Sequence, residues 1–174
     1  MGIDLGTLIP NYTTCVFSGG FTSEAQWLRL RTERQMGAAV LSFVGDLDPV
    51  DFMVFATLVV GTTTHRLRVV HMGVDDAWLR ISQKFATSRS AAMPWDPMAI
   101  RMSSFEVAAL HALRGIRGAI PENVGSQCNA LLDAGYKLEL EGASNPAFYR
   151  SDFSAALRRM LRRRMVHAAN GGNT

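Results

Sequence analysis

The chain has little lysine and little cysteine, and no apolar run long enough to cross a bilayer. Lys84 and Lys137 are the only lysines among 18 basic residues; the other 16 are arginine. Cys15 and Cys128 lie far apart with no CxxC spacing, which argues against a disulfide framework or a zinc site and suits free thiols in a reducing compartment. The longest apolar run, Phe52 to Val60, is well short of the ~20 residues that span a membrane, so no membrane partner is expected. The opening MGIDLGTLIPNYTT lacks the basic stretch and apolar core of a signal peptide, and the Ser or Thr of a myristoylation signal. Nucleophile elbow, HExxH and P-loop patterns are absent, and Gly115 and Gly118 of RGIRGAI follow no strand, as a dinucleotide fingerprint would require. These gaps predict a non-enzyme with no cofactor, no metal and no small-molecule substrate.

What is present is a globular composition. Apolar residues make up 48% of 174 and charged residues 19%, so a single domain with its own core is expected. The charged fraction is below the usual quarter, which leaves surface for self-association. A net charge of +3 does not by itself imply a polyanionic partner. The kind of cation says more: guanidinium offers a planar fork of donors that fits phosphate and stacks on bases. A GC-rich coding sequence would enrich arginine too.

Periodicity and caps predict a mainly α chain. Residues 1–20, rich in Gly, Pro, Asn and Thr, read as an extended N-terminal arm. Ser23 to Gln26 fits a capping box opening a helix over about 24–44, with Trp27, Leu30 and Phe43 on its apolar stripe. Asp48-Pro49 signals a second helix, running to Gly61. FMVFATLVV fits a strand nearly as well, and the cap decides for helix. Residues 64–72 alternate like a short strand, 74–86 read as a helix with Trp78, Ile81 and Phe85 on one side, and 87–100 as a loop holding Trp95. Ser103 and Glu106 form another capping box, for a helix to about Arg117 with Phe105, Ala109, Leu110 and Leu113 inward. A helix over 124–134, an alternating YKLELE segment, a last helix capped by Ser151 and a flexible tail 169–174 follow. The expected architecture is a four-helix-bundle-like core within a single helical domain, 21–168, with small β segments.

Candidate sites are few. His65 and His71 lie six apart on an extended segment, but no third metal ligand accompanies them; His111 reads as half-buried. Asp46, Asp48 and Asp51 match no calcium loop and suit helix capping, as do Asp75 and Asp76. Trp27 and Trp78 fall on core faces. Three arginine groups remain as nucleic-acid candidates: Arg66 and Arg68 in HRLR; Arg114 and Arg117, predicted to share a helix face; and Arg158, Arg159, Arg162 and Arg163, beside the stripe of Phe153, Leu157, Leu161 and Met165. For Arg114 and Arg117 the alternative is a favourable interaction with the helix dipole; a solvated face, an acidic partner and an anionic lipid surface are alternatives for the last group.

The stretch YKLELEGASNPAFYRSDFSAAL, with Tyr149, Arg150 and Phe153 in a Tyr-Arg-x-x-Phe core, resembles the C-terminal segment of coat proteins from rod-shaped plant RNA viruses of the tobamovirus type. Ser154 stands where that family generally has an acid. CVFSGGFTSEAQWLRL is similar to the family's aromatic arm leading into a first helix. The resemblance implies a coat protein of virion and host cytoplasm: a four-helix bundle packed side by side with copies of itself around single-stranded RNA. Tyr149, Arg150 and Phe153 would then be structural. Because the C-terminus of such rods lies outside, it also implies Arg114 and Arg117 as RNA contacts ahead of the last helix. Without the resemblance, a small helical nucleic-acid-binding regulator or an enzyme without a recognisable motif are the other readings.

Overall fold

A computed structural model describes residues 32, 40–63, 68–87, 99–140, 147 and 149–169. The proposed arm, Trp27, Trp95, Cys15, His65, Arg66 and most of the tail lie outside the described residues. The described chain is mainly α, with two small sheets. In order it runs β1 (Val40–Phe43), α1 (Pro49–Thr63), β2 (Arg68–His71), α2 (Asp76–Phe85), β3 (Ala99–Arg101), α3 (Ser104–Arg114), a 3-10 turn (Glu122–Val124), α4 (Ser126–Asp133), β4 (Tyr136–Leu138) and α5 (Phe153–Ala169).

Val40–Phe43 is not the end of a helix but a strand, paired in parallel with β2 from Val40–Arg68 to Phe43–His71. Two β-branched or aromatic residues in four favour a pleated strand, and the partner that decides the matter lies 28 residues away. With α1 as the crossover, β1–α1–β2 is a parallel β-α-β unit. This explains why α1 lacks a polar face: it packs on β2 on one side and on α3 on the other. Phe52, Val54, Phe55 and Leu58 are buried in those contacts. Its start is as predicted, with Asp48 Oδ1 accepting the Val50 N–H at 2.6 Å.

The β1–β2 ladder continues past the strands: Met72 N–H bonds the Phe43 carbonyl at 2.7 Å and Val74 N–H the Gly45 carbonyl at 3.3 Å. This needs glycine at 73, where a Cβ would stand 2.1 Å from the Gly45 oxygen. Beyond it Asp75 caps α2 by accepting the Trp78 N–H at 2.8 Å. Asp76 caps a different helix, accepting the Gln127 and Cys128 N–H groups of α4 at 3.2 and 2.9 Å. The fit depends on Gly125 (φ 89°), whose Cβ would lie 2.3 Å from the Asp76 carboxyl carbon.

The second sheet pairs β3 and β4 antiparallel. It is tied to the first unit by reciprocal bonds between Leu47 and Leu138, 3.0 and 3.1 Å. The capping box of α3 is complete: the Ser103 side chain accepts the Glu106 N–H and the Glu106 carboxylate accepts the Ser103 N–H. Phe105 does not face inward, being 67% exposed, and His111 is exposed rather than half-buried. His111 falls on the face opposite Ala109, Leu110 and Leu113, whereas Phe105 lies in the first turn, a turn before Ala109. α5 packs on α2 and β1, burying Phe153, Leu157, Leu161 and Met165 as the stripe predicts. No helix among the described residues is long and apolar enough to cross a membrane.

Candidate nucleic-acid interface

The fold sorts its cations into those that hold the structure together and those it leaves to solvent. Arg68 is half-buried and donates to the Ala168 carbonyl at 2.7 Å, tying β2 to the end of α5. Arg114 pairs with Asp133 of α4. Arg117 does not share a helical face with it, because α3 ends at Arg114 and Arg117 sits exposed in the turns that follow. Arg101 stacks over the Tyr136 ring at 5.2 Å. Arg164 turns inward from α5 to pair with buried Asp75. Arg80 and Lys84 are exposed on α2.

Arg150 also has a structural post. Its N–H bonds the Phe85 carbonyl at 2.9 Å, its guanidinium donates to the Lys84 carbonyl at 2.9 Å, and it lies over the Phe85 ring at 5.1 Å. Those are the free carbonyls at the C-terminal end of α2. Tyr149 and Phe153 stack at 4.1 Å, and Phe153 meets Trp78 edge-on at 5.7 Å. The Tyr-Arg-x-x-Phe core thus locks the start of α5 onto α2.

Arg158, Arg159, Arg162 and Arg163 have no such post. All four are exposed, and among the described residues none meets a carboxylate. At 3.6 residues per turn they occupy an arc of about 140° on α5, opposite the buried stripe. Exposed Val166 lies within that arc. Four clustered cations raise the local potential and attract a polyanion.

A second electrostatic feature surrounds Lys137 on β4. Its ammonium donates to Asp48 and Glu106 at 2.8 Å each and to Glu139 at 3.0 Å. Burial works against the ammonium, but these three bonds prevail and hold its pKa well above the ordinary lysine range. The Lys137 and Ser103 bonds pull Glu106 down to about 2. Asp46 and Asp51 lie beside this group, and among the described residues neither forms an ion pair. Asp46 Oδ1 accepts the Leu140 N–H at 2.7 Å, and Asp51 Oδ2 accepts the Asp46 N–H at 2.6 Å. Burial, with the neighbouring charges of Asp51, Glu139 and Asp48, pushes Asp46 up to about 6 despite the Leu140 bond. Burial raises Asp51 as well. The group sits just beyond the carboxyl end of β1, where open α/β sheets place ligands. Sequence spacing exposed only the Asp46–Asp48–Asp51 part; Lys137, Glu106 and Glu139 join it through contacts between distant segments. Among the described residues no three acids, histidines or cysteines converge as a metal site.

No family model matches the chain, and no curated protein or solved structure is similar to it.

Proposed function

We propose that this chain is a structural RNA-binding protein that coats single-stranded RNA through sequence-independent phosphate contacts and assembles with copies of itself. The observation that carries the reading is the arginine face of α5: four exposed guanidiniums with no acidic partner among the described residues, in a fold that engages Arg68, Arg114, Arg150 and Arg164 internally. Arginines so placed neutralise phosphates and release counterions, a mode of binding that needs no base contacts. The coat-protein resemblance supplies the assembly part. It is supported by large apolar side chains left at the surface, among them Val60, Phe105 and Ile116. The bundle-like part rests on the packing of α2 against α4 and α5 and of α1 against α3. In this reading the RNA meets α5 rather than Arg114, whose charge is met by Asp133, and it departs there from the resemblance, which implies Arg114 and Arg117 ahead of the last helix.

The test is co-purification. The wild-type chain is expected to carry RNA, read as the absorbance ratio at 260 and 280 nm. Joint replacement Arg158→Gln, Arg159→Gln, Arg162→Gln and Arg163→Gln should strip it, while Arg114→Gln with Arg117→Gln should not. RNA retention unaffected by the four-site change would refute the assignment.

A second reading is favoured by Asp46. A carboxyl raised to about 6 at the carboxyl end of a parallel strand pair is placed and poised for proton transfer near neutral pH. The chain would then be an enzyme acting on a phosphorylated or nucleic-acid substrate, with the α5 arginines binding it. Loss of a hydrolytic or transfer activity in Asp46→Asn, with RNA binding intact, would select this reading.

A further inference from the structure

Among the described residues β2 has one strand neighbour, β1, and its other edge borders a groove. The Met72 N–H bond to the Phe43 carbonyl fixes which residues face which way. In a strand the N–H and C=O of one residue point to one side and those of the next residue to the other. Arg68, Val70 and Met72 therefore turn theirs to β1, while Val69 and His71 turn theirs away from it. The Asn123 amide agrees, donating to the His71 carbonyl at 3.0 Å from the far side. A strand edge left in this way is a template for a further strand.

The groove beside the edge measures about 480 Å3 and is lined by Arg68 to His71, by Phe55 and Val59 of α1, and by Ile120, Glu122 and Asn123 of the turns before α4. The two faces of the strand differ. Val69 packs with Val54 and Leu58 of α1, whereas Arg68 reaches the end of α5 at Ala168. A strand laid along the edge would continue both faces, one apolar towards Phe55 and Val59 and one polar towards Arg68. Charge also differs along its length, with Arg68 at one end and Glu122, the neighbour of Asn123, at the His71 end.

We infer that the free edge of β2 captures an extended segment of a partner protein, adding it to the sheet with its apolar side chains on Phe55 and Val59, an acidic side chain at Arg68 and a basic one at Glu122. Main-chain bonds from the Val69 N–H and C=O and the His71 N–H would hold the segment, and the side chains would select it. The Asn123 amide already stands where the N–H of such a strand would meet the His71 carbonyl. The His71 ring takes no part, being enclosed by Phe43, Phe52 and Phe55. A lone phosphate would use Arg68 and leave the edge unmet. The alternating charged stretch YKLELE of this chain forms β4 and is bound into the core at Leu138, so the donor is a different protein. This inference stands apart from the α5 face and does not require it.

The probes are two peptides blocked at both ends, Asp-Val-Thr-Val-Lys for a parallel strand and Lys-Val-Thr-Val-Asp for an antiparallel one. Each is titrated into the 15N-labelled full chain. One of them should shift the Val69 and His71 amide signals in a saturable way and slow their hydrogen exchange about tenfold, as new hydrogen bonds do. The Met72 amide, already bonded to β1, should change little. Methylating the peptide's backbone nitrogens should weaken binding about tenfold, and replacing its Asp by Asn about threefold. Val59→Trp, which fills the groove from its apolar wall, should block binding. No saturable shift of the Val69 and His71 amides with either peptide would overturn the inference. So would equal binding of the methylated peptide, or the same shifts with inorganic phosphate. Shifts that grow with the concentration of the chain alone would overturn it too, by assigning the edge to a second copy.

Discussion

The arginine face of α5 makes a quantitative prediction. Each phosphate contact to a single strand adds about 0.7 to the slope of log affinity against log salt. Four contacts from Arg158, Arg159, Arg162 and Arg163 should add about 2.8, so raising salt from about 50 to 200 mM should weaken their share of binding roughly 50-fold. The perturbation is the joint replacement of all four by Gln. The residues are exposed, so the fold should persist; relief of like-charge repulsion along the helix should if anything raise stability by a few tenths of a kcal/mol. The assay is fluorescence anisotropy of a labelled, unstructured oligoribonucleotide across a salt series, with circular dichroism to show that helix content is retained. A slope that falls by about 2.8 supports direct phosphate contact. A slope equal to that of the wild type would refute it and place the RNA elsewhere.

Other consequences follow from the interior. Asp46 is raised from 3.8 to about 6, so the folded state holds its proton more tightly than the unfolded chain, and its effect on stability turns unfavourable as pH rises from about 4 to 6. Asp46→Asn should therefore stabilise the protein more at pH 7 than at pH 4.5, read as the difference in Tm between variant and wild type at each pH; a pH-independent difference would count against the raised carboxyl. Lys137→Met leaves Asp48, Glu106 and Glu139 without their shared cation and should cost about 1–3 kcal/mol by urea unfolding at neutral pH, with part of the loss recovered in acid. Gly73→Ala drives a methyl group against the Gly45 oxygen and should cost about 3 kcal/mol, the upper end for forced overpacking; an unchanged midpoint would mean the strand ends do not approach as described.

What the sequence revealed was local. Asp48-Pro49, Asp75 and the Ser103–Glu106 pair are caps, and a cap is written within four residues. The stripe of α5 was legible for the same reason, because 3.6-residue periodicity needs no partner to be seen. Val40–Phe43 was misread because its apolar residues also fit the end of a helix, and only β2, across α1, fixes it as a strand. The Lys137 group was hidden for a stronger reason: Asp48 and Lys137 are 89 residues apart, and Glu106 joins them from α3. Nor does the sequence show which arginines are structural. Arg163 and Arg164 are neighbours, yet one faces solvent and the other reaches Asp75, a difference set by the 100° turn between them.

Sedimentation velocity of the full chain, with and without single-stranded RNA at low ionic strength and followed at 260 and 280 nm, bears most directly on the proposed function. The account predicts that protein and RNA move together as particles far larger than one chain, and that added salt disperses them. Protein sedimenting as a 19 kDa monomer, with the RNA boundary unaltered beside it, would contradict it.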